Sequence, residues 1–523
     1  MCKEWNDGTC GANLVPVNLG YGRVAVDIAT GADWSCAVLD NGGVHCWGYN
    51  GFSWLGVDSL KFVGNIGDSP LEPGGIVEPI TFQGGKAVKI FGLAQSRCVI
   101  LDVGDVVCWG KSTNGQLGIG TEGTLSALWE RTEYPTVDLG GRKAFALAVG
   151  GGTDNTGYLV AHQCAMLSAA DCEECEDEIK CWGYNGQGQL GYGDKRARGL
   201  TRGDFVNDVV DLGSPGVHPA FELGGYDRAP EPTQPDVINS LAIGNYHTCA
   251  ILAMGRVVCW GNHQYGQLGT LATANAHVGR AVGSISKATP VFFGYDASKR
   301  PEMGTFFAKK IIGGYVSSCA ILEDDSLTCW GSSYFAQIGF GPLNVARGSD
   351  IDDDNGLIER VPVLDSAGAP AKIVDVCGGH HFKCAATSEG TTWCWGQDSY
   401  GQLGLGTNTK VTTYPTPVDL GADEITGAPL RTVALTCGEH TVCAVFDDGR
   451  AKCWGRNYYG QLGYGTGTFS DGRDGRRVAV FAHRRGETGY ENVRGSEPFL
   501  RDSRYSPIEV LGTELRWGVG FES

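Results

Sequence analysis

Short apolar runs separated by glycine and turn residues recur along this chain. The stretch from 241 to 261 shows the pattern most clearly: one apolar run ends at Gly244, a second ends at Leu252, a turn lies around Met254, and a third run ends at Gly261. Runs of this length, bounded by turn residues, are typical of buried β-strands. The pattern therefore predicts short strands joined by tight turns. The glycine that lies five residues before the first cysteine of a repeat is expected to allow the sharp turn there.

Each unit ends on the tripeptide Cys-Trp-Gly, followed by a version of Gly-Gln-Leu-Gly. The tripeptide occurs seven times, beginning at Cys46, Cys108, Cys181, Cys259, Cys329, Cys394 and Cys453. Successive strand residues point to opposite faces, so each Trp faces away from its Cys and both faces of the strand must be covered. Sheets packed face to face around a ring supply that cover, whereas a single repeat cannot. One large repeat domain is therefore expected from these 523 residues.

Six of the seven repeats carry another cysteine ten residues before the cysteine of Cys-Trp-Gly. In the hairpin that turns near Met254, Cys249 and Cys259 are equidistant from the turn and lie opposite each other. Opposed residues at non-hydrogen-bonded positions have Cα atoms about 4.5 Å apart, which a disulfide accepts. We therefore predict one disulfide in each of these hairpins, namely Cys36–Cys46, Cys98–Cys108, Cys249–Cys259, Cys319–Cys329, Cys384–Cys394 and Cys443–Cys453.

The hairpin of repeat three differs, because it contains Cys172 and Cys175 and separates Cys164 from Cys181 by seventeen residues. Four cysteines this close could hold zinc or carry out thiol redox chemistry. The outer two match the hairpin pair of the other repeats, so we predict the disulfides Cys164–Cys181 and Cys172–Cys175.

Four cysteines lie outside the hairpins. Cys377 and Cys437 occupy near-equivalent positions in adjacent repeats, which predicts a bridge between two neighbouring blades. Cys2 and Cys10 are expected to close an N-terminal loop. With these pairs, none of the twenty cysteines is left free.

Composition indicates in which compartment the protein is located and which class of partner is disfavoured. Twenty cysteines, an even number, indicate an oxidising, extracellular or cell-surface location. The first residues lack the apolar core of a secretion signal, so we expect the numbering to start on a processed or trimmed chain. No stretch approaches about eighteen apolar residues, which argues against membrane insertion. The net charge of −18 disfavours nucleic acid as a partner, since that needs a dominant basic face.

Three motifs carry a family resemblance. They are Cys-Trp-Gly-x-Asn-x-x-Gly-Gln-Leu-Gly, the opening segment x-Pro-x-x-Val-x-Leu-Gly (Tyr414 to Gly421) and Gly-x-x-His-Thr-Cys-Ala (Gly244 to Ala250). Together they resemble the regulator of chromosome condensation repeat family, and the match covers nearly the whole chain. The cysteine-paired form is similar to repeats of secreted bacterial surface proteins and differs from the nuclear exchange factor.

The resemblance implies an all-β, seven-bladed β-propeller with intra-blade disulfides. We place the propeller at residues 14–512, with an N-terminal extension over 1–13 and a C-terminal tail over 513–523. The longest insertions follow Gly-Gln-Leu-Gly and cover about 194–232, 270–289, 340–361 and 466–506. Because they occupy the same place in successive repeats, they should emerge on one face of the disc and form the first candidate for a binding surface.

An acidic run in one insertion suggests calcium. Asp350, Asp352 and Asp354 alternate along the chain and could present carboxylates to a calcium ion. The run departs from the EF-hand loop in the positions of its glycine and its distal glutamate, and a solvated acidic loop is the favoured reading. We expect that no cofactor is required. If this acidic run binds an ion, that ion is calcium.

The last insertion has the opposite charge pattern. Arg476, Arg477, Arg484 and Arg485 are interleaved with aromatic residues such as Tyr490. Arginine with aromatics is typical of interaction surfaces, and an acidic glycan or the carboxylates of a partner protein would suit it. Nearby acids partly neutralise the segment, so a loop paired with itself is the alternative.

Both ends of the chain carry the same kind of opening strand, at 14–20 and 506–512, and one of them is surplus to seven repeats. A terminal strand can close the ring by completing a blade begun at the other end. Alternatively, the spare tail with Trp517 can add a strand to a neighbouring subunit, giving a homo-oligomer or filament. Closure is our expectation.

The sequence offers no constellation that names a reaction. His162, His247, His381 and His440 lie just before the first cysteine of a repeat, which we interpret as a recurring turn hydrogen bond and not as a ligand set. Walker loops, His-Glu-x-x-His and the nucleophile elbow are missing from the sequence. We therefore predict that the protein is not an enzyme.

The function expected from these observations is a non-enzymatic interaction or structural protein outside the cytoplasm. It would present its insertion loops to a protein, a glycan or copies of itself, as a single scaffold or as a subunit of an extracellular assembly. The family resemblance also allows a secreted enzyme inhibitor, and less readily a guanine-nucleotide exchange factor. The last would need a reducing compartment and a basic tail, which this chain does not support.

Overall fold

Seven antiparallel β-sheets follow one another along the part of the chain that the computed structural model describes. No helix occurs in that part. The described residues are 23, 25–50, 55–56, 79–120, 123–125, 134–153, 159–167, 177–212, 240–252, 255–270, 277–288, 290–291, 293, 306–340, 346–347, 358–406, 410–422, 427–447, 451–462 and 479–481.

Each sheet is one blade, and its strands follow one another outward from the centre in chain order. The innermost strands are β1 (Ala25–Thr30), β4 (Ala87–Leu93), β8 (Ala144–Thr153), β11 (Ser240–Ile243), β14 (Ala308–Gly313), β18 (Ile373–Gly378) and β22 (Thr432–Cys437). The second strands are β2 (Trp34–Leu39), β5 (Ser96–Leu101), β9 (Leu159–Leu167), β12 (His247–Ile251), β15 (Ser317–Leu322), β19 (Phe382–Thr387) and β23 (Thr441–Phe446).

The third strands carry the Cys-Trp-Gly tripeptides. They are β3 (Val44–Gly48), β6 (Val106–Ser112), β10 (Glu178–Gly183), β13 (Val257–Gly261), β16 (Leu327–Ser332), β20 (Thr392–Gln397) and β24 (Ala451–Gly455). Outer strands are described in blades two, five, six and seven, as β7 (Gly123–Leu125), β17 (Ala346–Arg347), β21 (Val411–Val418) and β25 (Ala479–Phe481).

The seven blades form a closed ring, because β22 of the last blade lies against β1 of the first. The Glu439 backbone N–H donates to the Gly31 carbonyl oxygen across this junction. The Ser35 hydroxyl donates to the Gln461 carbonyl oxygen at 2.7 Å. The predicted seven-bladed propeller is therefore confirmed.

The outermost strand of blade seven is β25, which pairs with β24. The two segments that we expected to compete for closing the ring, 14–20 and 506–512, lie outside the described residues. The domain boundaries at 13/14 and 512/513 lie there too and stay predictions.

The core lies between the blades. Each interface packs the disulfide of one blade against the Cys-Trp-Gly tryptophan of the next: Cys164 and Cys181 share a cluster with Trp260, and Cys249 and Cys259 share one with Trp330. The disulfide and the tryptophan of one blade thus lie on opposite faces of its sheet, as the strand alternation predicts.

The hairpin cysteines are paired directly across neighbouring strands. In the six regular hairpins the Cα atoms of the two cysteines are 4.0 to 4.1 Å apart, and Cys164 pairs with Cys181 in the same register despite the longer hairpin. A further disulfide joins Cys377 of β18 to Cys437 of β22, in the blade that follows. Cys2, Cys10, Cys172 and Cys175 lie outside the described residues.

Removing one of these disulfides should destabilise the protein. The loss should increase with the logarithm of the number of residues in the loop that the disulfide closes. Replacing Cys249 and Cys259 by alanine should lower the free energy of unfolding by about 3 kcal/mol, and replacing Cys377 and Cys437 by about 4 kcal/mol, because the second loop spans 60 residues. Chemical denaturation of the two double variants measures the difference. Equal stability of both variants and the wild type would contradict this account.

The glycines five residues before the first cysteine do not serve the purpose we expected. Gly31, Gly244, Gly314, Gly379 and Gly438 lack positive φ angles, so the turn itself does not demand glycine. They are needed for space, because a Cβ atom on Gly438 would lie 2.4 Å from the Gly31 carbonyl oxygen of the next blade.

Candidate functional site

One face of the disc carries the Gly-Gln-Leu-Gly turns and the described insertion segments that follow them. The inner strands and the third strands all run toward the same side, because each blade is antiparallel throughout. We call this side the upper face; it contains the turns between first and second strands and the Gly-Gln-Leu-Gly turns. The described insertion segments 194–205 and 277–285 follow those turns and lie at the upper face. The chain reaches the opposite face at Val210 and at Phe481, which pair with Ile179 and Ala451 at the start of their third strands.

The Gly-Gln-Leu-Gly motif is structural. The side-chain Oε1 atom of Gln189 accepts a hydrogen bond from the Gln187 backbone N–H at 2.9 Å, and the Gln189 carbonyl oxygen accepts one from Trp260 of the next blade at 2.9 Å. The same bond between a tryptophan and the preceding blade recurs at Trp182, Trp330, Trp395 and Trp454. The recurring motif is therefore occupied in joining blades.

Pairs of a hydroxyl and a base lie in three interfaces. Thr248 is 2.8 Å from His162, Ser318 is 2.8 Å from His247, and Ser317 is 3.0 Å from Lys383. Pairs like these serve as nucleophile and base in hydrolases. Here all six side chains have no exposed surface, so a substrate cannot reach them and the pairs link neighbouring blades.

These contacts correct our interpretation of the four histidines. His162 and His247 lie two residues before their cysteines, whereas His381 and His440 lie three before, so they do not share one position. The first two bond to the next blade and not to their own turn. Burial, aided for His162 by the positive charge of His247, lowers the pKa of each of these two histidines to about 3.

Aromatic side chains form a continuous group on the upper face between blades five and seven. Tyr315 lies 4.1 Å from His380, measured between ring centroids, and His380 lies 4.1 Å from His381. His440 follows at 5.7 Å from His380 and contacts Tyr400 at 4.7 Å.

A single arginine extends this aromatic group toward blade one. The guanidinium carbon of Arg456 lies 5.5, 5.1 and 5.8 Å from the ring centroids of Tyr400, Tyr458 and Tyr459. The same guanidinium pairs with Asp33 at 3.1 Å. Outward from the group, the rings of Tyr265 and Tyr334 pack edge to face, and Tyr334 is 50% exposed. We call this set of residues the aromatic belt. It consists of Tyr265, Tyr315, Tyr334, His380, His381, Tyr400, His440, Arg456, Tyr458 and Tyr459.

His381 and His440 of the aromatic belt stay neutral at neutral pH. Burial lowers the pKa of His440 to about 3, with further contributions from the neighbouring His380 and the positive charge of Arg456. Burial and the neighbouring His380 lower the pKa of His381 to about 2. These rings therefore act as packing groups and hydrogen-bonding groups, and not as acids or bases near pH 7.

The central cavity is lined by all seven inner strands, and glycine forms much of its wall. Asn245, Tyr315, His380 and Glu439 are the larger polar and aromatic side chains at its upper end. Within the described ranges no group of three or more His, Cys, Asp or Glu side chains is placed to hold a metal ion. No described helix is long and apolar enough to cross a membrane.

The site residues that the sequence suggested in the insertions cannot be compared with the structure. Asp350, Asp352 and Asp354 of the calcium hypothesis lie outside the described residues, as do Arg476, Arg477, Arg484, Arg485, Tyr490 and Trp517 of the interaction hypothesis. Both hypotheses stay predictions.

Parts of two insertions fold back onto the preceding blade, which sequence reasoning missed. The Gly199 carbonyl oxygen accepts a hydrogen bond from Gly120 of blade two, and the Gly279 carbonyl oxygen accepts one from Gly193 of blade three. Both loops share the spacing Gly-x-x-x-Gly followed by a small polar and a large apolar residue, at 199–205 and 279–285. That repeated spacing was the signal available in the sequence.

Arg198 holds the first of these loops in place. Its buried guanidinium pairs with Asp194 at 2.9 Å and with Asp208 at 2.5 Å, and lies over the ring of Tyr192. Phe205 stacks on Trp182 at 5.5 Å between ring centroids. This part of the insertion is therefore a fixed element of the upper face.

Comparison with known proteins agrees with the repeat pattern. Models of the regulator of chromosome condensation (RCC1) repeat match residues 25–53, 238–267 and 433–461, and a second RCC1 repeat model matches 389–445. The chain is 24% identical over 438 residues to the ultraviolet-B receptor UVR8 of Arabidopsis thaliana, which covers 83% of this chain and 76% of UVR8. It is 23% identical over 438 residues to the human E3 ubiquitin-protein ligase HERC2, but spans only 7% of that protein.

Two solved structures share the fold. Human WBSCR16 superposes with a TM-score of 0.54 at 17% identity, covering 80% of this chain and 86% of that one. The complex of Kap60 with yeast RCC1 (Prp20) gives a TM-score of 0.54 at 17% identity, covering 88% and 86%. Residues 25–53, 238–267, 389–445 and 433–461 therefore match the regulator of chromosome condensation repeat, and the chain folds as an RCC1-like β-propeller.

Proposed function

We propose that this protein is a non-enzymatic scaffold that binds a protein partner through the upper face, in an oxidising compartment outside the cytoplasm. The aromatic belt carries the proposal. Tyrosine and arginine are the residues that most often dominate binding energy at protein interfaces, because they bury large rigid areas and still offer polar groups. The rings of the belt are already packed on one another, so little conformational entropy is lost on binding.

The relatives support the binding role in this proposal. The propellers similar to this chain occur in a receptor, in a ubiquitin ligase and in a complex with Kap60, which are regulatory or binding roles. The hydroxyl–base pairs that might suggest hydrolysis are enclosed between blades, which favours binding over catalysis.

The compartment is inferred from the cysteines. Every cysteine in the described part of the chain is in a disulfide, and disulfides in such number persist in oxidising surroundings. Alkylation of the native protein followed by mass mapping should find Cys36 and Cys46 protected until reductant is added. Free thiols at either position in protein taken from its natural source would argue for a reducing compartment.

Loss of two tyrosines should weaken partner binding. Replacing Tyr334 and Tyr400 by alanine should reduce capture of the partner at least tenfold, since residues that dominate an interface each contribute about 2 kcal/mol or more. The measurement is quantitative photo-cross-linking of the purified protein in the extracellular fraction of its source organism.

The matched control is Tyr414→Ala. Tyr414 is 56% exposed but lies on the outer strand β21, away from the aromatic belt. It should capture as much partner as the wild type. Equal capture by all three proteins would overturn the assignment of the upper face.

A further inference from the structure

A group of positive side chains lies on the upper face of blade three, between its junctions with blades two and four. It consists of Lys195, Arg196, Arg202, His277 and Arg280, and we call it the basic arc. Lys195, Arg196 and Arg202 are exposed, and His277 and Arg280 are half-buried. On a chain with a net charge of −18, such a cluster stands out from the rest of the surface.

The basic arc spans two consecutive insertion loops, with Arg202 against blade two and Arg280 against blade three. Arg196 donates to the Asp204 carbonyl oxygen at 3.1 Å, in the same loop as Arg202. Arg280 donates to the side chain of Gln187, which belongs to blade three. Burial lowers the pKa of His277, and the positive charges of Arg280 and Lys195 lower it further.

The nearby carboxylates are already engaged. Asp194 and Asp208 both pair with the buried Arg198. Asp204 accepts hydrogen bonds from the backbone N–H groups of Gly199 at 2.7 Å and Thr201 at 3.4 Å. Among the described residues, Lys195, Arg202 and Arg280 form no ion pair, so their charges are available to a partner.

The basic arc is held rigidly. Its two loops are those that fold back on the preceding blades through Gly199 and Gly279. Phe205, three residues after Arg202, is fully buried against Trp182. A binding surface built on fixed loops loses less entropy on association than one built on mobile ones.

The chemistry of the arc favours a short carboxylate-rich ligand. Guanidinium groups bind carboxylates through two parallel hydrogen bonds, which is stronger and more directional than a point charge. The overall negative charge would repel a long polyanion wherever it extends beyond the arc by more than a Debye length of about 8 Å. A peptide segment of a few acidic residues can stay within the arc and avoids this repulsion.

We propose that the basic arc binds a short Asp/Glu-rich segment of a protein partner. This inference rests on the proposed function, because it describes how part of that partner is recognised. It adds a second contact to the upper face, on the side of blade four opposite to most of the aromatic belt.

A fluorescein-labelled peptide of four glutamates is a direct probe, read by fluorescence anisotropy with purified protein. The wild type should bind it at 50 mM NaCl, and binding should weaken at 200 mM NaCl. The variant Arg202→Glu/Arg280→Glu should bind at least tenfold more weakly. Arg431→Glu, which changes an arginine that pairs with Asp447 away from the arc, should bind as the wild type does.

Several outcomes would overturn the proposal. They are failure of the wild type to bind the peptide at 50 mM NaCl, equal binding by the arc variant and the wild type, and binding of a heparin octasaccharide more than tenfold tighter than the peptide. Thermal melting of both variants within a few degrees of the wild type would show that folding is not the cause of a loss.

The same variants separate this inference from the proposed function. If partner capture by cross-linking depends on Tyr334 and Tyr400 but is unchanged in Arg202→Glu/Arg280→Glu, the arc proposal fails and the scaffold function stands. If no variant of either surface changes capture, the scaffold function itself fails.

Discussion

Replacing Gly313 by alanine should lower the free energy of unfolding by about 3 kcal/mol or more. Gly313 ends the inner strand β14, and a Cβ atom there would lie 2.2 Å from the Ile243 carbonyl oxygen and 2.4 Å from the Ile243 carbonyl carbon. Both atoms belong to the backbone of the neighbouring blade, so no side chain can move aside. Relief requires the two blades to separate, which is the costly form of overpacking. Urea denaturation followed by tryptophan fluorescence measures the loss.

Gly152→Ala is the matched control. Gly152 also lies at the upper end of an inner strand, β8, but a Cβ atom there would meet the end of the Glu439 side chain at 3.3 Å. A side-chain carboxylate can shift by the few tenths of an ångström that are needed. This variant should therefore remain within about 1 kcal/mol of the wild type, and equal losses in both variants would show that blade spacing at β14 is not the cause.

Lowering the pH from 7 to 5 should destabilise the protein, because buried histidines are held neutral. In His162 and His247 the folded-state pKa is about 3, below the value of about 6.5 in an unfolded chain. A group with a lowered pKa stabilises the fold fully above pH 6.5, and this contribution is lost as the pH falls toward 3. At pH 5 the loss is about 2 kcal/mol for each of the two histidines.

Three carboxyl groups, those of Asp27, Asp33 and Asp398, oppose this trend, because burial raises the pKa of each. Burial raises the pKa of Asp27 and of Asp398 to about 6, so their contribution grows as the pH falls from 6 toward the unfolded value near 4. At pH 5 Asp27 and Asp398 together add about 3 kcal/mol to the free energy of unfolding, somewhat less than His162 and His247 remove. His381 and His440, with similarly lowered pKa values, act in the same direction as the other histidines and increase the net loss.

The measurement is the free energy of unfolding at pH 7 and pH 5. His247→Gln keeps a hydrogen-bonding side chain next to Ser318 but does not titrate, so it should reduce the loss between the two pH values by about 2 kcal/mol. His277→Gln should reduce the loss by less than His247→Gln does, because His277 is only half-buried. Equal stability of the wild type at both pH values would contradict the assignment.

Local features of the fold could be predicted from the sequence. The hairpin disulfides follow from cysteines placed symmetrically about a turn, and the opposite orientation of Trp260 and Cys259 follows from strand alternation. Even the Cys377–Cys437 bridge was accessible, because equivalent positions of adjacent repeats become neighbours around a ring.

Features that depend on the neighbouring blade could not be predicted. The need for glycine at Gly438 arises from Gly31, at the other end of the chain, and appears in the sequence as an ordinary turn glycine. The partner of His162 is 86 residues away, so its bond across the interface resembled a local turn bond. The basic arc was hidden because half of it lies in each of two insertions, which come together only when both fold back.

The buried pairs between blades have a consequence for how the ring could evolve or be engineered. His162 faces Thr248, His247 faces Ser318, and Lys383 faces Ser317, so each junction accepts a different combination of groups. Deleting blade five would bring His247 toward Lys383, two bases with no hydroxyl between them. The blades are therefore not interchangeable modules: a shortened or reordered ring would need new side chains at every altered junction before it could close.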